Sequence, residues 1–322
     1  MMADFPRRIL CIIGPTAVGK TRLSLEIAKR LDGEIISVDS RQVYRHLDIG
    51  TDKVSEQTRE EIPHHLLDVA GPGQVFSAAD FVSMAMTAIQ EILQRGKTPL
   101  LVGGTPFYYQ ALFEGILTDD MPRNRSLSLS LNREWDNGNA GALLAELERV
   151  DPVSAERIHP NDRRRVLRAL EVFRLSGSPI SAWYEEGKRK RSGFEPLYLG
   201  LYRSKESLRE RIARRAAAQF ESGFPEEVGR LMEMGYDESC PALQGFGYRE
   251  LLFYHKGRMT LEEALEGDIR ATRAFAKRQM TWFRKFTPAL WYDVTRSETN
   301  DVMRQVILLW ENQLKPPKAS ES

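Results

Sequence analysis

Cysteine is nearly absent from this sequence. Cys11 and Cys240 are the two in 322 residues, too few for a disulfide framework and too far apart for a metal-ligand pair. That scarcity fits a reducing compartment. No apolar run approaches the ~20 residues that a membrane span needs, and the N-terminus lacks the apolar core of a secretion signal. An excess of one charge is missing too: 46 Lys and Arg face 45 Asp and Glu, a formal +1, so any affinity for nucleic acid must come from local patches. No internal repeat is found. A soluble, cytoplasmic, monomeric protein away from membranes is expected. With 42% hydrophobic residues, it can fill one large domain or a domain with an insertion.

The chain is organised around Gly14-Pro15-Thr16-Ala17-Val18-Gly19-Lys20-Thr21, directly after the apolar run Ile9-Leu10-Cys11-Ile12-Ile13. This is the phosphate-loop spacing between a strand and a helix. Its glycines let backbone N–H groups wrap phosphate oxygens, Lys20 brings positive charge, and Thr21 can ligate Mg²⁺. A helix from Val18 to Leu31, with Leu23, Ile27 and Leu31 on one face, would aim its positive N-terminus at the same anion. A diphosphate or triphosphate ligand is expected.

A second strand, Glu34–Val38, delivers Asp39-Ser40-Arg41-Gln42 to the ligand-binding end of an α/β sheet. Residues 44–73 read as loops and short helices. Ser77 and Asp80 resemble a capping box for a helix that buries Phe81, Ala85, Ala88, Ile89 and Ile92, and Thr98–Val102 is a third strand running into Gly103-Gly104-Thr105. The β-α-β-α-β order means a parallel sheet. The fold class is α/β, a phosphate-loop NTPase-like parallel sheet flanked by helices, with an inserted all-helical subdomain. Residues 1–117 and 194–315 form the core, 118–193 the insertion and 316–322 a disordered tail. In the insertion, Asn161 would cap a helix to Ser176. After a returning strand at Leu197–Tyr202, helices are expected over 205–234, 248–254, 261–285 and 300–313, with a short strand at Trp291–Val294.

The motif alone favours a small-molecule kinase. The strand ending at Val102 runs into Gly-Gly-Thr and not into an acid, which argues against a mechanical NTPase. The acid is Asp39, placed to act as a base. Two local patches suggest a larger acceptor. Between Asn161 and Arg191 stand nine basic and four acidic residues, and between Asp268 and Thr287 six basic and one acidic. In the second stretch, Arg270, Arg273, Lys277 and Arg284 share one helical stripe, while Phe275, Gln279, Trp282 and Phe286 share another. Basic stripes beside aromatics suit a nucleic-acid backbone and an unstacked base; a solvated helix face explains them equally well.

Taken in order, these motifs resemble the bacterial tRNA dimethylallyltransferases (tRNA isopentenyltransferases) nearly end to end. The likeness rests on the phosphate loop, Asp39-Ser40-Arg41-Gln42-Val43-Tyr44, Asp48-Ile49-Gly50-Thr51, Pro63-His64-His65, Gly103-Gly104-Thr105, His159-Pro160-Asn161-Asp162-Arg163-Arg164, Gln244-Gly245-Phe246-Gly247-Tyr248 and Ala276-Lys277-Arg278-Gln279-Met280-Thr281-Trp282. It implies transfer of a dimethylallyl group from dimethylallyl diphosphate to N6 of the adenosine 3′ of a tRNA anticodon. It also implies roles: Asp39 as base, Thr105 lining the acceptor channel, and Arg211 with its neighbour Arg215 on the diphosphate beside Gly14 to Thr21 and Mg²⁺. The anticodon stem-loop would meet Asp39, Ser40, Arg41, Gln42, Asn161, Asp162, Arg163, Arg164, Arg165, Gln244, Lys277, Arg278 and Gln279. His64 and His65, without metal partners, are expected to be structural. Two departures stand out. Pro106-Phe107-Tyr108-Tyr109 replaces the usual continuation after Gly-Gly-Thr, and Leu127–Leu131 lacks an arginine, for which Arg123, Arg125 or Arg133 would substitute. The rival readings are an adenylate isopentenyltransferase, a nucleoside kinase and a non-enzymatic RNA-binding protein.

Overall fold

The computed structural model describes residues 8–115, 121–189, 192–295 and 299–314. The first apolar run forms β1 (Arg8–Ile13), and the loop after it leads into α1 (Lys20–Arg30). The helix starts two residues later than expected because Ala17 (φ 62°) and Gly19 (φ 111°) take left-handed conformations that no right-handed turn includes. Then come β2 (Gly33–Val38), α2 (Glu56–Glu61) capped by Ser55, and β3 (His64–His65). α3 (Ala78–Gln94) buries Phe81, Ala85, Ala88, Ile89 and Ile92, as its 3.6-residue period predicts. β4 (Thr98–Gly103) and α4 (Pro106–Glu114) follow.

The described residues fall into two compact units. One takes in the chain up to Ser77, Phe81–Tyr109 and everything from Gly193 onward; the other is Ala78–Asp80 with Gln110–Ser192. The boundary expected at 117/118 lies outside the described residues, as does the expected tail at 316–322. The second unit is helical: α5 (Arg125–Glu134), α6 (Ala140–Val150), α7 (Pro152–Arg157), α8 (Arg163–Ser176) and α9 (Ile180–Arg189). Its own core gathers Leu131, Leu143, Leu147, Val166, Leu170 and Ile180. α8 begins later than expected. Its N-cap is Asp162, whose carboxylate accepts from Arg165 N, so Asn161 stands outside the helix.

The chain then returns through β5 (Glu195–Tyr202), α10 (Lys205–Glu221), α11 (Phe224–Glu233), α12 (Tyr248–His255), α13 (Leu261–Phe283), β6 (Ala289–Asp293) and α14 (Thr299–Leu314). The single helix expected over 205–234 is two, because Gly223 turns the chain at φ 100° and Pro225 occupies the first turn of α11. Among the described residues, no helix is long and apolar enough to cross a membrane.

The six strands pair in parallel in the order β3-β2-β4-β1-β5-β6. Leu10 and Ile12 of β1 pack into a cluster with α1 and α14, while Ile9, Cys11 and Ile13 are equally buried on the alternate face. A strand covered on both faces explains its unbroken apolar run. Register positions the site: Ile13 pairs with Gly103, and Val38 also pairs with Gly103. The segments leaving β1, β2 and β4, namely the phosphate loop, Asp39 and Gly104-Thr105, therefore emerge side by side.

Candidate active site

At these carboxyl ends lies a cavity of about 590 Å³. Thr16, Ala17, Gly19, Lys20 and Thr21 form one wall, Asp39, Gln42, Thr51 and Asp52 another, and Arg211 and Arg215 of α10 a third. Elements from four stretches of sequence thus converge on one space. Gly14, Pro15 and Val18 shape the loop from behind. Gly14 takes φ 146°, and a Cβ there would come within 2.6 Å of the Leu201 carbonyl oxygen; Val18 is fully buried.

Cations outnumber acids along the cavity: Lys20, Arg22, Arg211 and Arg215 line it with Asp39 and Asp52. Lys20 Nζ donates to the carbonyl oxygens of Gly14 and Pro15 at 3.0 and 2.9 Å. Burial pushes its pKa down to about 8, against the opposing pull of Asp39, while Arg215 adds to the depression. Arg211 Nε donates to Ala17 O at 2.9 Å and Arg203 Nε to Val18 O at 2.9 Å, so two arginines beyond β5 brace the loop. Arg203 belongs to none of the sequence motifs, and its one signal is its place immediately after a strand at the ligand end of the sheet. Arg215 faces Asp52 at 3.6 Å.

Asp39 is held by its own turn. One oxygen, Oδ1, accepts from Arg41 N at 2.8 Å and Gln42 N at 3.4 Å, while Oδ2 takes no protein hydrogen bond among the described residues. A carboxylate fixed through one oxygen and open at the other suits a proton acceptor. Thr105 supports this turn: Oγ1 accepts from Ser40 N at 3.2 Å, and its own N–H donates to Val38 O at 3.2 Å.

Several residues expected to meet RNA turn inward instead. Gln279 is 4% exposed; its Oε1 accepts from Thr16 N at 2.9 Å and its Nε2 donates to Gly104 O at 2.6 Å. The Gln42 side chain accepts from Ser37 Oγ at 2.9 Å and donates to Thr51 O at 3.0 Å. Arg41 donates to Pro241 O at 3.2 Å, packs against Gly245, and has its Nη2 buried without a partner. In the helical unit, Asp162 is occupied as a cap, and Arg163 binds Asp136 at 2.6 and 2.9 Å and the Asn132 carbonyl oxygen at 3.0 Å. These groups satisfy the protein's own polar atoms, a role that short sequence motifs cannot distinguish from binding a ligand.

The remaining candidates stay outward. Asn161, Arg164 and Arg165 are exposed on the helical unit, as are Arg123, Arg125 and Arg133. On the other unit, Gln244, Arg270, Arg273, Lys277, Arg278 and Arg284 are exposed, and Ser40 is half-buried. Phe275 lies 5.1 Å from Phe246, with the Arg278 guanidinium 5.9 Å from its ring. Of the aromatics after Gly104-Thr105, Tyr108 stacks on Phe81 and Tyr109 is fully buried; Phe107 is half-buried beside Trp282.

His65 pairs with Glu34 at 2.7 Å, which also binds Arg95 at 2.7 Å. Both histidines belong to a sheet-edge strand. Among the described residues no cluster of three or more His, Cys, Asp or Glu could hold a metal. The cavity nonetheless fits Mg²⁺, which takes one or two protein oxygens and completes its shell with phosphate and water: Thr21 lines the same wall as Lys20.

A family model described as IPP transferase matches residues 42–286. The chain is 44% identical over 288 residues to the tRNA dimethylallyltransferase of Anoxybacillus flavithermus, covering 89% of this chain and 91% of that one. It is 41% identical over 300 residues to the tRNA dimethylallyltransferase of Carboxydothermus hydrogenoformans, covering 93% and 96%. Among solved structures it is similar to the tRNA isopentenylpyrophosphate transferase of Bacillus halodurans, with TM-score 0.71, 37% identity and coverage of 95% and 96%. It is also similar to a eukaryotic dimethylallyltransferase acting on tRNA, with TM-score 0.82, 30% identity and coverage of 98% and 81%.

Proposed function

The chain belongs to the IPP transferase family, and from that premise we propose that its donor is dimethylallyl diphosphate and its acceptor the exocyclic N6 of the adenosine 3′ of a tRNA anticodon. It is an enzyme of tRNA prenylation. In the transfer, N6 attacks C1 of the donor, the C1–O bond breaks, pyrophosphate leaves, and an N6 proton passes to Asp39. The observation that carries this reading is the shared cavity, where Asp39 with its open Oδ2 faces the phosphate loop.

An adenine amine is a weak nucleophile, so alignment against C1 accounts for much of the rate. The loop amides with Lys20, Arg211 and Arg215 lie where charge grows on the departing diphosphate, and a preorganised positive site stabilises that charge without reorganising. Thr21 would hold Mg²⁺, which when bound would neutralise part of the diphosphate charge. The likeness to named tRNA dimethylallyltransferases disfavours a nucleoside kinase, and the exposed basic stripe on α13 argues against a free-nucleotide acceptor. We assign the protein to the cytoplasm, acting as a monomer.

The test incubates the protein with labelled dimethylallyl diphosphate or labelled ATP and with unmodified tRNA or AMP. Prenyl label in tRNA is expected; label in AMP but never in tRNA overturns the reading. Asp39→Ala is expected to lower transfer by at least ~100-fold and to change tRNA affinity by no more than about twofold, measured by single-turnover transfer and filter binding.

A further inference from the structure

A strand end and a phosphate loop that leave the sheet side by side have no covalent reason to keep a fixed spacing. One side chain bridges them. Gln279, near the C-terminal end of α13, is 4% exposed and spans the gap between Thr16 N (2.9 Å) and Gly104 O (2.6 Å). Each backbone partner needs the opposite function: an N–H needs the amide oxygen and a carbonyl needs the amide nitrogen. Glutamine supplies both from one planar group. Gly104 completes the fit, because a Cβ there would collide with Gln279 Nε2.

We infer that Gln279 is a positioning residue for the transfer, locking the phosphate loop to the end of β4 through the Thr16 amide. This rests on the assignment of the loop to the donor's diphosphate. Thr16 lines the cavity while its N–H is committed to Gln279. The amide bridge therefore sets where the remaining loop N–H groups point. The same link reaches the acceptor side: Gly104 precedes Thr105, whose hydroxyl accepts from Ser40 N beside Asp39. One buried side chain fixes the diphosphate cradle relative to the turn that carries the base. Lys277 and Arg278, exposed just before it, leave the outer face of α13 to RNA, so Gln279 acts on the donor side and does not itself bind RNA.

The test uses the full chain with Gln279→Met, which keeps the volume and removes both hydrogen bonds, and Gly104→Ala, which keeps the amide and displaces it. Affinities are measured for inorganic pyrophosphate and for unmodified tRNA. Each variant is expected to weaken pyrophosphate binding about tenfold, the scale of a lost buried hydrogen bond, and to leave tRNA affinity within about twofold. The double variant is expected to be no worse than either single one, since both break the same bridge. Unchanged pyrophosphate affinity in either variant, a loss confined to tRNA, or losses that multiply in the double variant would each overturn the inference. Wild-type protein that binds tRNA but no pyrophosphate overturns the functional reading instead. If Gln279→Met fails to fold, Gly104→Ala with its amide intact still decides between these outcomes.

Discussion

Lys20 shows how burial turns a simple charge into a titrating one. Its pKa is lowered to about 8, and the charged form is the one a diphosphate binds. Below about pH 8 the ammonium is present and this part of the affinity is flat. As pH rises through that value the neutral fraction grows, and the Lys20 share of binding falls toward a limit of about tenfold per pH unit. Pyrophosphate titrations between pH 7 and pH 9.5 should show this weakening in the wild type and a flatter profile in Lys20→Met. At the same scale, Glu227 carries a role that its surroundings in sequence conceal. It is 3% exposed; Oε2 accepts from Asp48 N (2.9 Å) and Ile49 N (2.7 Å), and Oε1 from Gly50 N (3.3 Å) and Tyr248 Oη (2.7 Å). Beside Pro225 and Glu226 it reads as a solvated acid in a helical first turn. Its loop partners lie 177 to 179 residues away, and no local pattern encodes them. Asp39 is readable because its neighbours, its strand and its place at the sheet end are all local.

Helix α13 has an outer face and an inner face with different duties. The outer face is legible, since charges at helical spacing announce themselves, and Arg270, Lys277 and Arg284 are indeed exposed. Replacing these three by Ala is expected to lower the slope of log tRNA affinity against log salt by ~0.7 to 0.9 for each phosphate they neutralise. Pyrophosphate affinity should stay constant, and both follow from binding titrations between 50 and 200 mM salt. The inner face differs from its sequence pattern: Gln279 shares its stripe with Phe275, Trp282 and Phe286, and spacing cannot say that one member of an apolar stripe bonds two backbone atoms. Elements with long periods are recovered, α3 residue by residue. The break between α10 and α11 is hidden because apolar spacing continues across Gly223. A two-residue strand such as β3 carries no period; its pairing with Ile35 and Ile36 makes it a strand.

For the molecule as a whole, the order of elements and the change to purely helical sequence between β4 and β5 are enough to read a parallel α/β sheet with a helical insertion. The order of strands across the sheet is not readable, since it depends on which crossovers skip a neighbour. Because the helical unit has its own core around fully buried Leu170, Leu170→Ala should destabilise that unit by about 2–5 kcal/mol. Pyrophosphate affinity should be unchanged, a split that calorimetry and ligand titration can measure together. The bridge from Thr16 to Gln279 has a consequence in time as well as in space. Its ends are 263 residues apart, and at about 5–20 residues per second of synthesis they are made roughly 13 to 53 s apart. The phosphate loop is made well before the side chain that tethers it. A nascent chain arrested before α13 carries every residue of the loop without the side chain that sets its shape, so the loop takes its tethered form only after α13 has been made.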